Sequence, residues 1–233
     1  MGWSRWFFVG MGAWCIVLTV LGFAPSFIDY FAGKYHFPPI VHVHGAIMMS
    51  WLVFYTSQGL FAARGDVATH RRLGWIAMFL AAAVWLAMGV ATVVALRRFD
   101  PAEAAFLILP LLIQIGTMVL FAIFVIWAVL ARANSGWHKR LLSLATFCLV
   151  QAALDRIQWI PQIDVPMFWQ NGLRLYVLLL VPLAIFDLLT LKRIHPATLT
   201  GATIIIAMHA VVSFLWTSEA WAAWANGFWA WLR

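Results

Sequence analysis

The chain has 233 residues, of which 65% are hydrophobic and 10% charged, and its mean hydropathy is +0.93. Soluble globular domains carry about 25% charged residues, so this composition excludes a soluble protein. The net charge of +7 would suggest a nucleic-acid partner in a soluble chain, but most of the basic residues lie in short segments between apolar runs. We therefore expect the lipid bilayer as partner and no nucleic acid.

Seven apolar runs have about the 20 residues that a transmembrane helix needs. They predict an all-α, polytopic membrane bundle with one domain, residues 1–233. The predicted crossings lie near residues 6–26, 40–63, 73–96, 106–131, 141–160, 172–191 and 201–217.

The distribution of Lys and Arg predicts the orientation of this bundle. With the N-terminus in the cytoplasm, nine of them fall on the cytoplasmic side and four on the other. The positive-inside rule then places the N-terminus inside and the C-terminus outside, and we expect a bacterial cytoplasmic (inner) membrane. The aromatic tail, residues 221–233, predicts a short helix that lies in the membrane interface.

Residues 63–79 and 131–147 form an internal repeat, because they align without a gap and share seven of seventeen residues. Each copy covers the end of one predicted helix, a basic loop and the start of the next. Helices two and three therefore look like a parallel duplicate of helices four and five. This places His70 and His138 as counterparts at the same depth.

Several polar side chains fall in the outer halves of the predicted spans. Charges there cost about 2.5–3.5 kcal/mol each, so they are expected to face the bundle interior or a wet cavity. The group either binds an anionic or quinone-like head group or forms a structural hydrogen-bond network, and the network is favoured slightly. Its members are Gln114, Gln151, Asp155, Arg156, Gln158 and Arg174.

Two further ionisable residues lie in the last two predicted helices. His209, near the middle of helix seven, is predicted to be a hydrogen-bonded core residue and is kept in reserve as a ligand or proton relay. Asp187, toward the inner end of helix six, is expected to pair with Lys192 or Arg193.

The histidine pair, His70 and His138, fits the requirement of a non-covalent haem. Neutral imidazole is the axial ligand of b-type haem, and its only trace in a sequence is His on different helices at matching depth. Small residues beside the pair leave room for a flat macrocycle, or simply let the helices pack closely. They are Gly74, Ala77, Ala81 and Ala145. The basic neighbours suit haem propionates or, equally, lipid phosphates. They are Arg71, Arg72, Lys139 and Arg140.

The motifs HRRLG at residues 70–74 and HKRL at residues 138–141 resemble those of bacterial membrane proteins related to the transmembrane di-haem cytochrome b superfamily, which includes ascorbate-dependent ferric reductases. The resemblance covers about residues 40–160. It implies haem b as cofactor and a four-helix core with one haem near each face. The inner ligands would be His70 and His138. For the outer haem, helix two offers His42 or His44, but helix four offers only Gln114.

The sequence thus favours a membrane b-type haem protein that transfers electrons, with quinol as donor or acceptor, and hence a membrane oxidoreductase. The alternative is a haem-free binding, transport or accessory subunit, with partner membrane subunits and a polar cavity near Asp155 and Arg156. A zinc-dependent lipid hydrolase is least favoured, because such sites want three clustered ligands and the sequence has no HxxxH or HxxxD pair.

Overall fold

The computed structural model describes residues 2–34, 36–98, 104–157, 172–216 and 218–232. Within these ranges the chain forms eight helices longer than one turn and no strands. They are α1 (Phe7–Phe31), α2 (Pro39–Arg64), α3 (Val67–Arg98), α4 (Ala104–Leu130), α5 (Ser135–Leu154), α6 (Gly172–Leu191), α7 (Pro196–Trp216) and α8 (Glu219–Leu232). All of these except α5 and α8 are long and apolar enough to cross a membrane, and the prediction of an all-α membrane bundle is confirmed.

Helix α5 lies at the centre of the bundle, where it packs against α1, α2, α4 and α7. More than half of its residues are buried, so its polar groups find partners in protein rather than in lipid. The helix covers Ser135–Leu154, whereas the sequence predicted a crossing at 141–160. It begins early because the side chain of Asn134 caps its first turn. Asp155 and Arg156 therefore follow the helix, and Gln158 lies outside the described residues.

Helices α2 to α5 form a closed ring. Helix α2 packs along α3 and α4 packs along α5, while contacts between α3 and α4 and between α2 and α5 complete the ring. Helices α3 and α5 therefore face each other across it. Helix α1 lies outside the ring against α2 and α5. It approaches α5 closely at Gly22, where an added Cβ would lie 2.2 Å from the carbonyl oxygen of Ala153.

The two copies of the repeat form matching junctions at one end of this ring, which we call the basic end. Asp66 accepts a hydrogen bond from the N–H of Thr69 at 3.0 Å, and its counterpart Asn134 accepts from the N–H of Gly136 at 3.1 Å. The carbonyls of the same two capping residues accept from the backbone N–H of the histidine pair. Each histidine thus occupies the same position in its helix, although the duplication itself stays a prediction.

Helix α6 contains one π-helical turn, Tyr176–Leu180. Its cause is Pro182, which has no N–H to donate to the carbonyl of Leu178 one turn earlier. That carbonyl instead accepts a hydrogen bond from the indole of Trp14 at 3.2 Å. The wider turn places Tyr176 on the side of α6 that meets α7.

The aromatic tail forms α8, which packs on α3 and α4 at the end opposite to the basic end. The indole of Trp229 donates a hydrogen bond to the carbonyl of Leu96 at 3.1 Å. Trp224 and Trp231 remain mostly exposed. An interfacial position of this helix agrees with these contacts and stays a prediction.

Candidate functional site

The histidine pair comes together at the basic end of the ring. The imidazole centres of His70 on α3 and His138 on α5 are 6.3 Å apart, and the ring planes are at 84° to each other. The two rings therefore meet from opposite helices, at one depth, as the repeat predicted.

The hydrogen bonds of the two imidazoles differ. Nδ1 of His138 lies 2.8 Å from the carbonyl oxygen of Ala128. Since a carbonyl only accepts, Nδ1 carries the proton and Nε2 keeps its lone pair when the ring is neutral. Nδ1 of His70 is buried without a hydrogen bond, and the carbonyl of Gln58 is the backbone acceptor that interacts with this ring. A histidine that binds a metal usually donates its other ring N–H to a carbonyl or carboxylate. His138 has this arrangement.

A third polar side chain, Gln58 of α2, lies at the same level. It is 8% exposed, and neither atom of its amide has a hydrogen-bond partner. Two residues on the same face of α2 form hydrogen bonds with α5. The indole of Trp51 donates to the hydroxyl of Thr146 at 3.1 Å, and the hydroxyl of Tyr55 lies 2.7 Å from the hydroxyl of Ser143. One turn further along α2, this antiparallel register brings Gln58 to the level of the histidine pair.

A buried ion pair lies beside the site. Arg140 is 2% exposed and Asp187 is fully buried. Nε of Arg140 donates to Oδ1 of Asp187 at 2.9 Å, and Nη2 donates to the same oxygen. The other carboxylate oxygen accepts from the hydroxyl of Thr198 at 2.6 Å and from the backbone N–H of His195 at 3.0 Å. The pair therefore fastens α5 to α6 and to the start of α7.

The prediction that Asp187 pairs with Lys192 or Arg193 is wrong. Asp187 faces α5 inside the bundle, where Arg140 reaches it. Lys192 ends α6 in a left-handed conformation with φ of 59°, and both it and Arg193 are exposed. A proximity of five or six residues in sequence did not reveal which face of the helix the carboxylate occupies.

The basic neighbours of the histidine pair divide into two kinds. Arg140 is committed to Asp187, and the ammonium of Lys139 lies 4.7 Å from the ring centre of Phe8. Arg71 and Arg72 are exposed. Of these four basic neighbours, Arg71 and Arg72 are therefore the ones that remain for an anionic group.

The space beside the two histidines also differs. A Cβ added to Gly74, one turn beyond His70, would meet no atom within 4 Å. Ala145, on the side of His138, is fully buried in the packed core. Open space for a flat group therefore lies on the α3 side.

At the opposite end, His42 and His44 point in different directions, as their spacing predicts. Nδ1 of His44 lies 3.4 Å from the carbonyl oxygen of Ala87 on α3, while the ring of His42 meets the ring of Tyr30 at 5.2 Å. Ala87 lies 17 residues beyond His70 on the same helix, which corresponds to about 25 Å. Gln114 on α4 is half-buried and forms no hydrogen bond within the described residues.

The predicted polar group is divided into separate sets. Oε1 of Gln151 lies 3.2 Å from Nε2 of His209, whose Nδ1 lies 2.6 Å from the hydroxyl of Tyr176. This network joins α5, α7 and the π turn of α6. The prediction of His209 as a hydrogen-bonded core residue agrees with this placement.

The charged members lie instead at the end of α5. Arg174 donates to the carbonyl of Leu154 at 2.7 Å, which caps the helix. Arg156 donates to the carbonyl of Ala152, and its guanidinium lies 4.8 Å from the ring centre of Phe23. These contacts lie within the protein, and the choice between a structural network and a binding site for a head group stays a prediction.

Comparison of the chain with protein-family models, curated proteins and solved structures finds no match. The site is therefore defined by its own geometry. Sequence reasoning placed the histidine pair but missed Gln58, which lies in the last two turns of α2 among other polar residues and is marked by no pattern.

Proposed function

We propose that this protein is an integral membrane b-type haem protein that transfers electrons, with the haem held between His70 and His138. The observation that carries the proposal is the 6.3 Å between the two ring centres. Imidazole nitrogens bind metals at about 2 Å. Two imidazoles on opposite sides of one metal ion therefore have ring centres about 6 Å apart, which is the separation observed.

The number of ligands favours haem over a bare metal ion. A tetrahedral zinc site takes three or four protein ligands. Across the residues that the structure describes, no cluster of three or more His, Cys, Asp or Glu side chains is placed to hold a metal. Haem iron brings four nitrogens of its own, so that two axial histidines complete its coordination.

The surrounding residues suit this group. The carbonyl of Ala128 fixes the orientation and protonation of His138. Gly74 leaves room beside His70, and the exposed Arg71 and Arg72 provide cations for propionates. The haem would supply one-electron redox chemistry. In this proposal the protein lies in a bacterial cytoplasmic membrane with the pair on the cytoplasmic side.

We propose that each chain binds one haem. His44 has no counterpart on α4, since the whole of that helix contains no histidine. A quinol is the proposed electron donor or acceptor. The network of Gln151, His209 and Tyr176 supports this choice, because it places hydrogen-bonding groups inside the bundle and next to a π turn, a feature frequent at functional sites.

Absorption spectra test the proposal. We expect the full chain, purified in mild detergent after expression with added haem, to show the Soret band and the reduced α-band of b-type haem at one haem per chain. The double variant His70→Ala/His138→Ala should lose both bands, and the control His42→Ala should keep them. A haem-free wild type, or a double variant that binds haem as well as the wild type, would overturn the proposal and favour a haem-free binding or accessory role.

A further inference from the structure

The two histidines of the pair are held unequally. His138 is fixed through Nδ1 by the carbonyl of Ala128 at 2.8 Å. Nδ1 of His70 is buried without a hydrogen bond. A hydrogen bond of this kind orients a histidine ligand and raises its basicity, and its loss typically costs about 10–100-fold in metal affinity. The ring of His70 has only a weaker contact, with the backbone carbonyl of Gln58, so His138 is the stronger ligand and His70 the weaker one.

The weaker histidine interacts with the backbone of a residue, Gln58, whose side-chain amide has no partner. Gln58 is 8% exposed, and both its Nε2 and its Oε1 lack hydrogen bonds. The ring of His70 interacts with the backbone carbonyl of the same residue. An amide buried without partners is costly, so this side chain is expected to have a partner in the functional state. The register of α2 against α5 puts that partner at the level of the histidine pair.

Ligand exchange on the His70 side explains both features. We propose, on the basis of the function proposed above, that His138 is the permanent axial ligand and His70 an exchangeable one. A small neutral diatomic molecule replaces His70 on the iron and accepts a hydrogen bond from the amide of Gln58. In this exchange the bond from Nε2 of His70 to iron breaks and a bond from iron to the diatomic ligand forms. The oxidation state of the iron does not change.

Single variants of the two histidines test the asymmetry, with carbon monoxide as the probe. We expect carbon monoxide to shift the Soret band of the dithionite-reduced wild type. His70→Ala should keep its haem and bind carbon monoxide at least about tenfold more tightly, because no internal ligand then competes for the iron. His138→Ala should lose its haem, and free imidazole should restore haem binding, which shows that the variant is folded.

A second pair of variants tests the amide. Gln58→Leu should release carbon monoxide about tenfold faster than the wild type, because one hydrogen bond to the ligand is lost. Gln114→Leu is the matched control, because it removes another glutamine from the ring of helices. Gln114 lies on α4 rather than on α2. Equal release rates in the two variants would remove Gln58 from the site.

Failure of this inference is distinguishable from failure of the proposed function. A wild type without haem overturns the function. A wild type that binds haem but does not react with carbon monoxide, or equal loss of haem in His70→Ala and His138→Ala, leaves the function standing and overturns the exchange.

Discussion

At the scale of single residues, breaking the buried ion pair between Arg140 and Asp187 has the largest effect on stability that we predict. Removing one partner of a buried pair leaves the other charge uncompensated, which typically costs about 3–5 kcal/mol. Asp187→Asn should therefore lower the free energy of unfolding by about this amount, as measured by tryptophan fluorescence during denaturant unfolding in detergent.

The exposed pair of Asp29 and Lys34, with an N–O distance of 2.9 Å, provides the control for that experiment. Asp29→Asn should change the free energy of unfolding by less than about 1 kcal/mol, because solvent screens exposed pairs. Equal effects of the two substitutions would show that the Arg140–Asp187 pair is not held in the low-dielectric interior.

His195, in the loop between α6 and α7, predicts a pH dependence of stability. Burial, with Arg140 nearby, lowers the pKa of this imidazole from its usual 6.5. As the pH falls, the unfolded chain binds the proton first, so the free energy of unfolding is highest above pH 6.5 and decreases below it. Protonation also removes the Nδ1 lone pair that accepts from the N–H of Ala197 at 3.1 Å.

The variant His195→Asn isolates this contribution. Asparagine is a good N-cap for α7 but does not titrate, so the variant should lose less stability than the wild type between pH 7.5 and 5.5. The measurement is the free energy of unfolding at both pH values for both proteins. Parallel pH profiles would assign the dependence to other groups.

The residues of the site could be predicted from the sequence only where a pattern tied them together. The repeat related His70 to His138, and the structure brings them together. Gln58 and Asp187 carry no such pattern, since their roles depend on which face of α2 or α6 meets α5. That choice is made by packing between helices that are distant in sequence, so the partner of Asp187 was assigned wrongly.

At the scale of helices, close packing of α1 against α5 depends on Gly22. A Cβ there would lie 2.2 Å from the carbonyl oxygen of Ala153, and a backbone atom cannot move aside as a side chain does. Gly22→Ala should lower the free energy of unfolding by about 1–3 kcal/mol. Gly10, on the same helix, has no atom within 4 Å of its added Cβ.

Gly10→Ala is therefore the matched control for Gly22→Ala. It should leave stability unchanged or raise it by up to about 1 kcal/mol, because alanine favours helix. Unfolding in detergent, followed by circular dichroism, measures both variants. If Gly22→Ala were as stable as Gly10→Ala, the two helices would not approach each other at this point.

The existence of the helices was predictable, but several of their boundaries were not: α3 begins at Val67 rather than at 73, and α5 begins at Ser135 rather than at 141. Apolar length alone located the helices that α1 to α4, α6 and α7 form. The start of helix α5 is determined by the cap at Asn134 and by the protein that surrounds the helix. Because it is surrounded by protein, the helix begins with polar residues that lipid would exclude. Hydropathy therefore placed its start six residues late.

At the scale of the whole molecule, the ring explains why a repeat in parallel orientation brings one histidine of each copy together. The first helix of each hairpin runs toward the basic end, and the second runs away from it. The second helices, α3 and α5, face each other across the ring. Equivalent residues near their starts therefore meet between these two helices, at the basic end. A single hairpin would present one histidine, whereas two hairpins present a pair.

The orientation of the molecule in the membrane decides on which side that pair lies. The basic end carries most of the Lys and Arg residues, so the positive-inside rule predicts that it faces the cytoplasm. Arg132 in the turn between α4 and α5 should then be inside, and Lys34 after α1 should be outside.

Single variants Arg132→Cys and Lys34→Cys, treated in intact cells with a membrane-impermeant maleimide, measure this directly. Cys15 and Cys148 are buried and should give little background. We expect labelling at position 34 alone in intact cells and at both positions once the membrane is opened; labelling at position 132 alone in intact cells would invert the topology and place the histidine pair on the outer side.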